Sequence, residues 1–405
     1  EELKQTWSDF NRAIRSIEPF DQWHWIYVLS VGFGRYIYHS SRLSRLIPNG
    51  SRRKIVASVP GLSVILILSV TVSYFTRLRR IVTLERYCHN KSGCIEDYFH
   101  GTKIVYLSVM IIWNYLKSVF DSPGVALPES QDLEVSPRNQ VSTTPPIGGC
   151  CGLSIPLNIE EERKRVVLYS GTSDDPTGSS NPSEFGYLSA LSVKPTYCHK
   201  CRIMRPPRCH HCSVCNRCIL QMDHYCPWIN NCVGYNNFRS FTLTLVFLSY
   251  ACWYGTFMLG GVFWEVMKEN VETHGWQLLY AKTGILNLPP PWTLCYQIYK
   301  GTVSDDAMIK LVFPLLFGTA IPLTLLLNIP LVYIRKGRTA IENQAVLTWQ
   351  KQQLLIHGRY EDPPNPFDKG ILGNLRQLLG ENLWLILLPI PVRPPAPYVP
   401  HLKDN

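Results

Sequence analysis

From Cys209 to Cys232 the chain reads CHHCSVCNRCILQMDHYCPWINNC. Six cysteines and three histidines fall within these 24 residues. Cys209, Cys212, Cys215 and Cys218 repeat the C-x2-C spacing, and Cys198 and Cys201 show it again just upstream. Such pairs clasp one tetrahedral zinc ion through a tight turn. His199, His210, His211 and His224 add imidazoles, and Cys232 closes the segment. Two closed sites need about eight ligands, and the segment supplies them without using Cys226. Between Pro195 and Cys232 there is little apolar periodicity, so bound metal is expected to supply much of the folding energy. The chain has 14 cysteines, and eight lie between Cys198 and Cys232. A secreted disulfide framework would spread them more evenly, so these read as reduced metal ligands.

Outside this segment the composition is that of a membrane protein. Charged residues make up 17% of the 405, where about a quarter is usual for a soluble protein. A bilayer-crossing helix needs roughly 20 apolar residues. Residues 55–75, 104–120, 241–264 and 309–334 meet or approach that length, giving four expected spans. Lys117 closes the second span and can snorkel to the interface. Pro322 and Pro330 predict kinks in the fourth. Residues 23–39, with Arg35 and two glycines, are expected to lie on the membrane surface. The first 20 residues are polar and hold no apolar core of a cleavable signal peptide.

Loop charge orients the spans. Arg202, Arg205, Arg208, Arg217 and Arg239 surround the cysteine-rich segment, and Arg335, Lys336 and Arg338 follow the last span. The segment and both termini are therefore expected on the cytosolic side. The parity of four spans then puts the basic loop 76–102 in the lumen with loop 265–308. There Asn90 is a possible glycosylation acceptor, and Cys88 could pair with Cys94. The expected divisions are residues 1–54, cytosolic; 55–121, the first two spans; 122–187, a Pro/Gly/Ser/Thr-rich linker holding Cys150 and Cys151; 188–240, the cysteine-rich domain; 241–334, the last two spans; and 335–405, a cytosolic tail. The net charge of +10 fits an anionic membrane surface or ligand. With no long Lys/Arg tract, no nucleic-acid partner is expected.

The chemistry centres on Asp223-His224-Tyr225-Cys226. A thiolate is the nucleophile, an adjacent imidazole can take the thiol proton, and a carboxylate can orient the imidazole. A span begins about 15 positions later, so a reactive thiol here could meet an acyl chain still lying in lipid. The Arg202, Arg205, Arg208, Arg217 and Arg239 side chains are candidate partners for an anionic donor.

These residues resemble the DHHC protein acyltransferases, or palmitoyltransferases. The resemblance rests on the cysteine spacing, on DHYCPWINNCVGYNNFRSF ending at Phe241, and on four spans with the cysteine-rich segment between the second and third. Asp121-Ser122-Pro123-Gly124 resembles the family's D-P-G element with a serine inserted. Thr339-Ala340-Ile341-Glu342 resembles its T-T-x-E element, with Ala340 where threonine is frequent. Asn365-Pro366-Phe367-Asp368 and the stretch from Asn374 to Gly380 resemble its C-terminal motif.

The resemblance implies an all-α polytopic membrane protein with a zinc-stabilised, loop-rich cytosolic domain. It implies one zinc held by Cys198, Cys201, His211 and Cys218, and a second by Cys212, Cys215, position 225 and Cys232. The family usually has histidine at 225, and some members carry D-H-Y-C. With Tyr225 the fourth ligand of the second zinc stays open among the phenolate, a water, Cys209 and His210. Catalysis is implied at Cys226, with His224 as general base and Asp223 as its orienting group. The implied donor is a long-chain acyl-CoA such as palmitoyl-CoA, and the acceptors are proteins bearing cytosolic cysteines. Thr339–Glu342 and Asn374 are expected to brace the tail against the catalytic segment. An endoplasmic reticulum or Golgi membrane fits the charge pattern. The rival reading is a catalytically silent, membrane-anchored zinc module that docks partners. A RING-type ubiquitin ligase needs longer gaps between its paired cysteines than the chain contains.

Overall fold

A computed structural model describes residues 94–126, 195–275, 302–358 and 365–392, together with 78–79, 297, 362–363 and 395. The expected surface helix at 23–39, the first expected span at 55–75, Cys88, Asn90 and the Cys150–Cys151 pair lie outside the described residues.

Three described helices are long and apolar enough to cross a membrane. The first, α1, runs Ile95–Phe120, starting nine residues before the expected 104. Glu96 and Asp97 sit in its first turn, where negative charge suits the helix dipole, and Lys117 sits in its last. Cys94, just before it, takes the N-cap position with an extended backbone. The second long helix, α2, spans Phe238–His274 and continues ten residues beyond the expected end at Trp264. That extension carries Glu265, Lys268, Glu269 and Glu272, so it belongs to water rather than lipid, with a Lys268–Glu272 pair along its face.

The third stretch is divided. Helix α3 covers Asp305–Leu326 and α4 covers Asn328–Lys336. Pro330 has no N–H for the carbonyl of Leu326, and its ring crowds that carbonyl, which places the break at Leu327. Pro314 and Pro322 stay inside α3 without ending it. Helix α2 lies between α1 and α3 and packs against both.

The cysteine-rich segment folds as three two-stranded hairpins with no larger sheet. Strands β1 (Thr196–Cys198) and β2 (Ile203–Arg205) form one; β3 (His210–Cys212) and β4 (Arg217–Ile219) the second; β5 (His224–Cys226) and β6 (Asn231–Val233) the third. Their apolar clusters are small and made largely of cysteines with a few aliphatic residues. The stretch after α1 docks on this unit. Val125 bridges Ile219, Ala126 N–H donates to the Cys218 carbonyl, and Leu220 N–H donates to that of Gly124. Gly234 lets the two pieces approach, since a Cβ there would lie 2.6 Å from the Pro123 carbonyl oxygen and 2.7 Å from Ile219 Cγ2.

Beyond the spans, α5 (Ala340–His357) begins with a capping box. Thr339 Oγ1 accepts from Glu342 N–H, and Glu342 Oε2 accepts from Thr339 N–H. Helix α6 (Gly370–Leu379) and a 3-10 turn (Leu383–Leu387) follow.

Candidate active site and metal-ligand clusters

Asp223 and His224 start the third hairpin, and Cys226 ends its first strand. Asp223 is fully buried. Its N–H donates to the Val233 carbonyl. Its Oδ2 lies 2.7 Å from His224 Nδ1, and its Oδ1 accepts from Ala340 N–H at 2.6 Å. Both carboxylate oxygens are thus committed, which fixes the imidazole that Asp223 holds. The bond from position 340 comes from the main chain, so alanine supplies it as well as threonine would. The His224 ring also meets Phe241 edge-on, with centroids 5.2 Å apart. Burial works against a charged ring, yet hydrogen bonds with the Asp223 carboxylate and the Cys226 sulfur outweigh it. The His224 pKa is pushed up to about 10.

Cys226 is buried in the apolar cluster that also contains Leu107, Met110 and Ile111 of α1 and Phe238 and Phe241 of α2. The sulfur therefore has the imidazole on one side and the ends of two spans on the other. Tyr115 of α1 donates its hydroxyl proton to the Trp228 carbonyl at 2.7 Å, holding the loop after Cys226 against the helix.

Two asparagines set this position, and motif matching gave them no role. Asn231 Nδ2 donates to the carbonyls of Ser118, Val119 and Asp121. Asn237 Nδ2 donates to Ser118 and Cys232 carbonyls, while its Oδ1 accepts from Gly234 N–H. The last carbonyls of a helix lack partners within it; here the third hairpin supplies them, locking the catalytic strand to the end of α1. The only sequence signal was a concentration of asparagines, Asn230, Asn231, Asn236 and Asn237, in a segment about to enter lipid.

The ligand atoms of Cys198, Cys201, His211 and Cys218 all lie within 4.8 Å of one another. His211 Nδ1 is 3.2 Å from Cys201 Sγ, 3.6 Å from Cys198 Sγ and 3.9 Å from Cys218 Sγ. Tetrahedral zinc with Zn–S near 2.3 Å spaces its sulfurs about 3.8 Å apart, so this group fits the ion. Cys212, Cys215 and Cys232 form a second group within the same 4.8 Å limit, with no fourth His, Cys, Asp or Glu among the described residues. The Cys232 sulfur hydrogen-bonds Cys212 and pulls its thiol down to about 6. Cys215 Sγ lies 3.1 Å from Cys232 Sγ within this group. Adjacent residues His211 and Cys212 of β3 belong to different groups, and His211 faces Cys218 across the hairpin.

The candidates for the open fourth position separate. Tyr225 pairs in register with Cys232 and packs on the second group, but its hydroxyl donates to Asn230 Oδ1 at 2.8 Å. Cys209 instead hydrogen-bonds Cys218 of the first group and, with burial, raises that thiol's pKa. His210 is held below its ordinary value by burial first, and the charges acting on it are Glu342, Arg205 and Arg208. Neither Cys209 nor His210 stands at the second group.

The arginines also divide. Arg208 is buried and makes a two-pronged ion pair with Glu342, both contacts 2.7 Å, while also donating to the Gly337 carbonyl. Its guanidinium lies 4.5 Å from the centre of the Phe367 ring. Arg239 is buried and donates to the carbonyls of Leu379 and Leu385. These two hold the fold together and are not available to an anionic ligand, as their sequence position alone had suggested. Asn374 ties the tail to the end of the last span, donating to the Ile334 carbonyl and Asp368 Oδ1. It does not bond the catalytic strand directly; Ala340 N–H reaches Asp223, while Glu342 holds Arg208 of the preceding loop.

Residues 192–346 match the family model described as DHHC palmitoyltransferase. That match covers 155 of the 405 residues. Among curated proteins, the DHHC region is similar to palmitoyltransferase ZDHHC2 of Rattus norvegicus, 34% identical over 159 residues, covering 38% of this chain and 34% of that protein. Probable protein S-acyltransferase 12 of Arabidopsis thaliana is 34% identical over 142 residues, covering 35% of each. Palmitoyltransferase ZDHHC20 of Mus musculus is 30% identical over 182 residues, covering 42% of this chain and 41% of that protein. The chain thus spans between a third and a half of the length of these relatives.

Proposed function

We propose that this chain is a protein S-acyltransferase that moves a long-chain acyl group, such as palmitoyl, from acyl-CoA to cysteines of other proteins. The observation that carries this reading is the fixed Asp223–His224 pair beside a Cys226 sulfur set among the ends of α1 and α2. Cys226 gives its proton to His224, and the thiolate attacks the thioester carbonyl of the donor. The carbon–sulfur bond to CoA breaks, and the CoA sulfur leaves with the proton held by His224. The acyl group now sits on Cys226 as a thioester. An acceptor cysteine loses its proton to His224, attacks the same carbonyl and releases Cys226. Asp223 keeps the imidazole in one tautomer and orientation throughout.

The acyl chain lies among the spans. Burying about 14 methylenes at about 0.8 kcal/mol each strongly favours that site over water. Cys198, Cys201, His211 and Cys218 would hold one zinc ion, and Cys212, Cys215 and Cys232 would supply three ligands to a second. When bound, the ions supply the folding energy that the small apolar clusters cannot. Tyr225 stands beside the second group as the remaining protein candidate for its fourth position. Arg202, Arg205 and Arg217 are left as candidate cations for the CoA phosphates. We further propose a fourth span at residues 55–75, read from sequence alone, with the DHHC domain and both termini on the cytosolic side of an endoplasmic reticulum or Golgi membrane.

The test is labelling with an alkyne analogue of palmitate. Wild-type protein should acquire a hydroxylamine-labile label that Cys226→Ser loses. Equal labelling of both proteins would leave the silent zinc-module reading in its place.

A further inference from the structure

The described tail after α6 contains an apolar run that the catalytic chemistry does not use. From Asn382 to Val392 the sequence is NLWLILLPIPV, without a charge. It folds as the 3-10 turn Leu383–Leu387 followed by an extended return. Trp384 is 79% exposed, Leu387 47% and Leu388 51%. In a water-soluble tail, three large apolar side chains so displayed would be costly.

Its position along α1 gives the reason. Tyr106 of α1 donates its hydroxyl proton to the Leu387 carbonyl at 2.9 Å. Tyr106 lies eleven residues before Lys117, whose ion pair with Asp121 marks the aqueous end of the helix; at 1.5 Å per residue that is ~16 Å along the axis. The Tyr106 ring meets Phe247 of α2 edge-on, eight residues or ~12 Å beyond Arg239. Two spans thus put the tip of the turn at the depth of lipid tails. Both ends of the run are held back near the start of α2. Arg239 donates to the Leu379 carbonyl before the run, and the Tyr235 hydroxyl donates to the Pro395 carbonyl after it; Arg239 also reaches up to the Leu385 carbonyl inside the turn.

The main chain is adapted to that depth. Backbone polar groups within a bilayer need internal partners. Leu385 N–H donates to Asn382, Leu388 N–H to Leu385 and Ile390 N–H to Leu388. Asn382 Oδ1 accepts from Trp384 N–H. Pro389 and Pro391 carry no N–H at all, and Tyr106 reaches across to Leu387. Leu383 and Ile386 face the other way, packing on the same apolar cluster as Cys226.

We propose that residues 382–392 form a re-entrant element that dips from the DHHC side into the lipid tails, with Trp384, Leu387 and Leu388 facing acyl chains. The partner is the hydrocarbon of the bilayer. The inference rests on the spans and stands whether or not Cys226 carries an acyl group.

The test uses the full chain reconstituted in phosphatidylcholine vesicles, with a fluorescent amino acid replacing Leu387, or Leu388 in a second variant. Quenching is compared between nitroxide at mid-acyl chain, nitroxide on the headgroup, and aqueous iodide. At ~16 Å depth in a hydrocarbon core of ~30 Å, mid-chain nitroxide should quench roughly twofold or more above the headgroup probe. Iodide should have little effect. The same fluorophore at the 86%-exposed Leu355 of α5 should show the reverse order. Stronger quenching by iodide or the headgroup probe at both 387 and 388 would overturn the proposal. So would shielding from all three quenchers, which would mean that protein, such as a second copy, covers the turn.

Discussion

Replacing Glu342 by glutamine tests how the tail supports the catalytic strand. Glu342 is fully buried, and the Arg208 side chain is only 4% exposed. Oε1 accepts from Arg208 Nε, and Oε2 accepts from both Arg208 Nη2 and Thr339 N–H. Glutamine has nearly the same shape but presents an NH2 group on one side. Whichever way the amide turns, that group faces a donor, and the arginine charge is left buried without its counter-charge. Breaking a buried pair costs about 3–5 kcal/mol, and the retained hydrogen bond places Glu342→Gln near 3 kcal/mol. For a protein of this size each kcal/mol moves Tm about 2–4 °C, so a drop of about 6–12 °C is expected. Thermal unfolding in detergent micelles, followed by intrinsic fluorescence, measures it. The Arg208→Met, Glu342→Leu double variant should recover only part of the loss: it strands no charge, but Thr339 N–H and the Gly337 carbonyl lose their partners. Because Ala340 N–H anchors Asp223 from the same helix start, Glu342→Gln should also lower acyl labelling of Cys226. A Tm within about 2 °C of wild type would refute the claim that this pair is a dry clamp.

Two further outcomes follow from the same geometry. Gly234→Ala drives a Cβ against the Pro123 carbonyl and Ile219; it should cost about 1–3 kcal/mol, read as a lower Tm and faster proteolysis after α1, and an unchanged Tm would contradict the close approach. Purified, reduced wild-type protein should hold its first zinc through chelator treatment and release a second more readily, whereas Tyr225→His should retain two; metal analysis after graded chelation checks this, and equal retention by both proteins would show that the position opposite Cys232 does not limit the second site.

Ligand spacing made the metal clusters legible, because C-x2-C has few uses outside metal binding. Apolar runs marked the described spans, but their ends were hidden. Ile95–Ile104 and Glu265–His274 are helical without being apolar, and length in lipid says nothing about helix in water. Arg208 and Arg239 stayed open candidates in the sequence because a local charge pattern does not disclose a carboxylate 134 residues away or a carbonyl 140 residues away. Asn231 and Asn237 were missed for a related reason: their partners are main-chain carbonyls, which every sequence has. Tyr225 could be recognised as a departure from the sequence alone, while the placement of Cys209 and His210 away from the second cluster required three-dimensional positions.

The adjacency of His211 and Cys212 in one three-residue strand has a consequence for assembly. Neighbouring side chains on a strand point to opposite faces, so the two donor sets lie on either side of the same ribbon. Sliding that ribbon by one residue against its mate would hand an imidazole to the thiol-only set and a thiol to the mixed one, and Cys218 would lose its facing partner. Bound ions would therefore favour the correct strand alignment as well as supplying cohesion, since a shifted register would offer each of them a poorer ligand set.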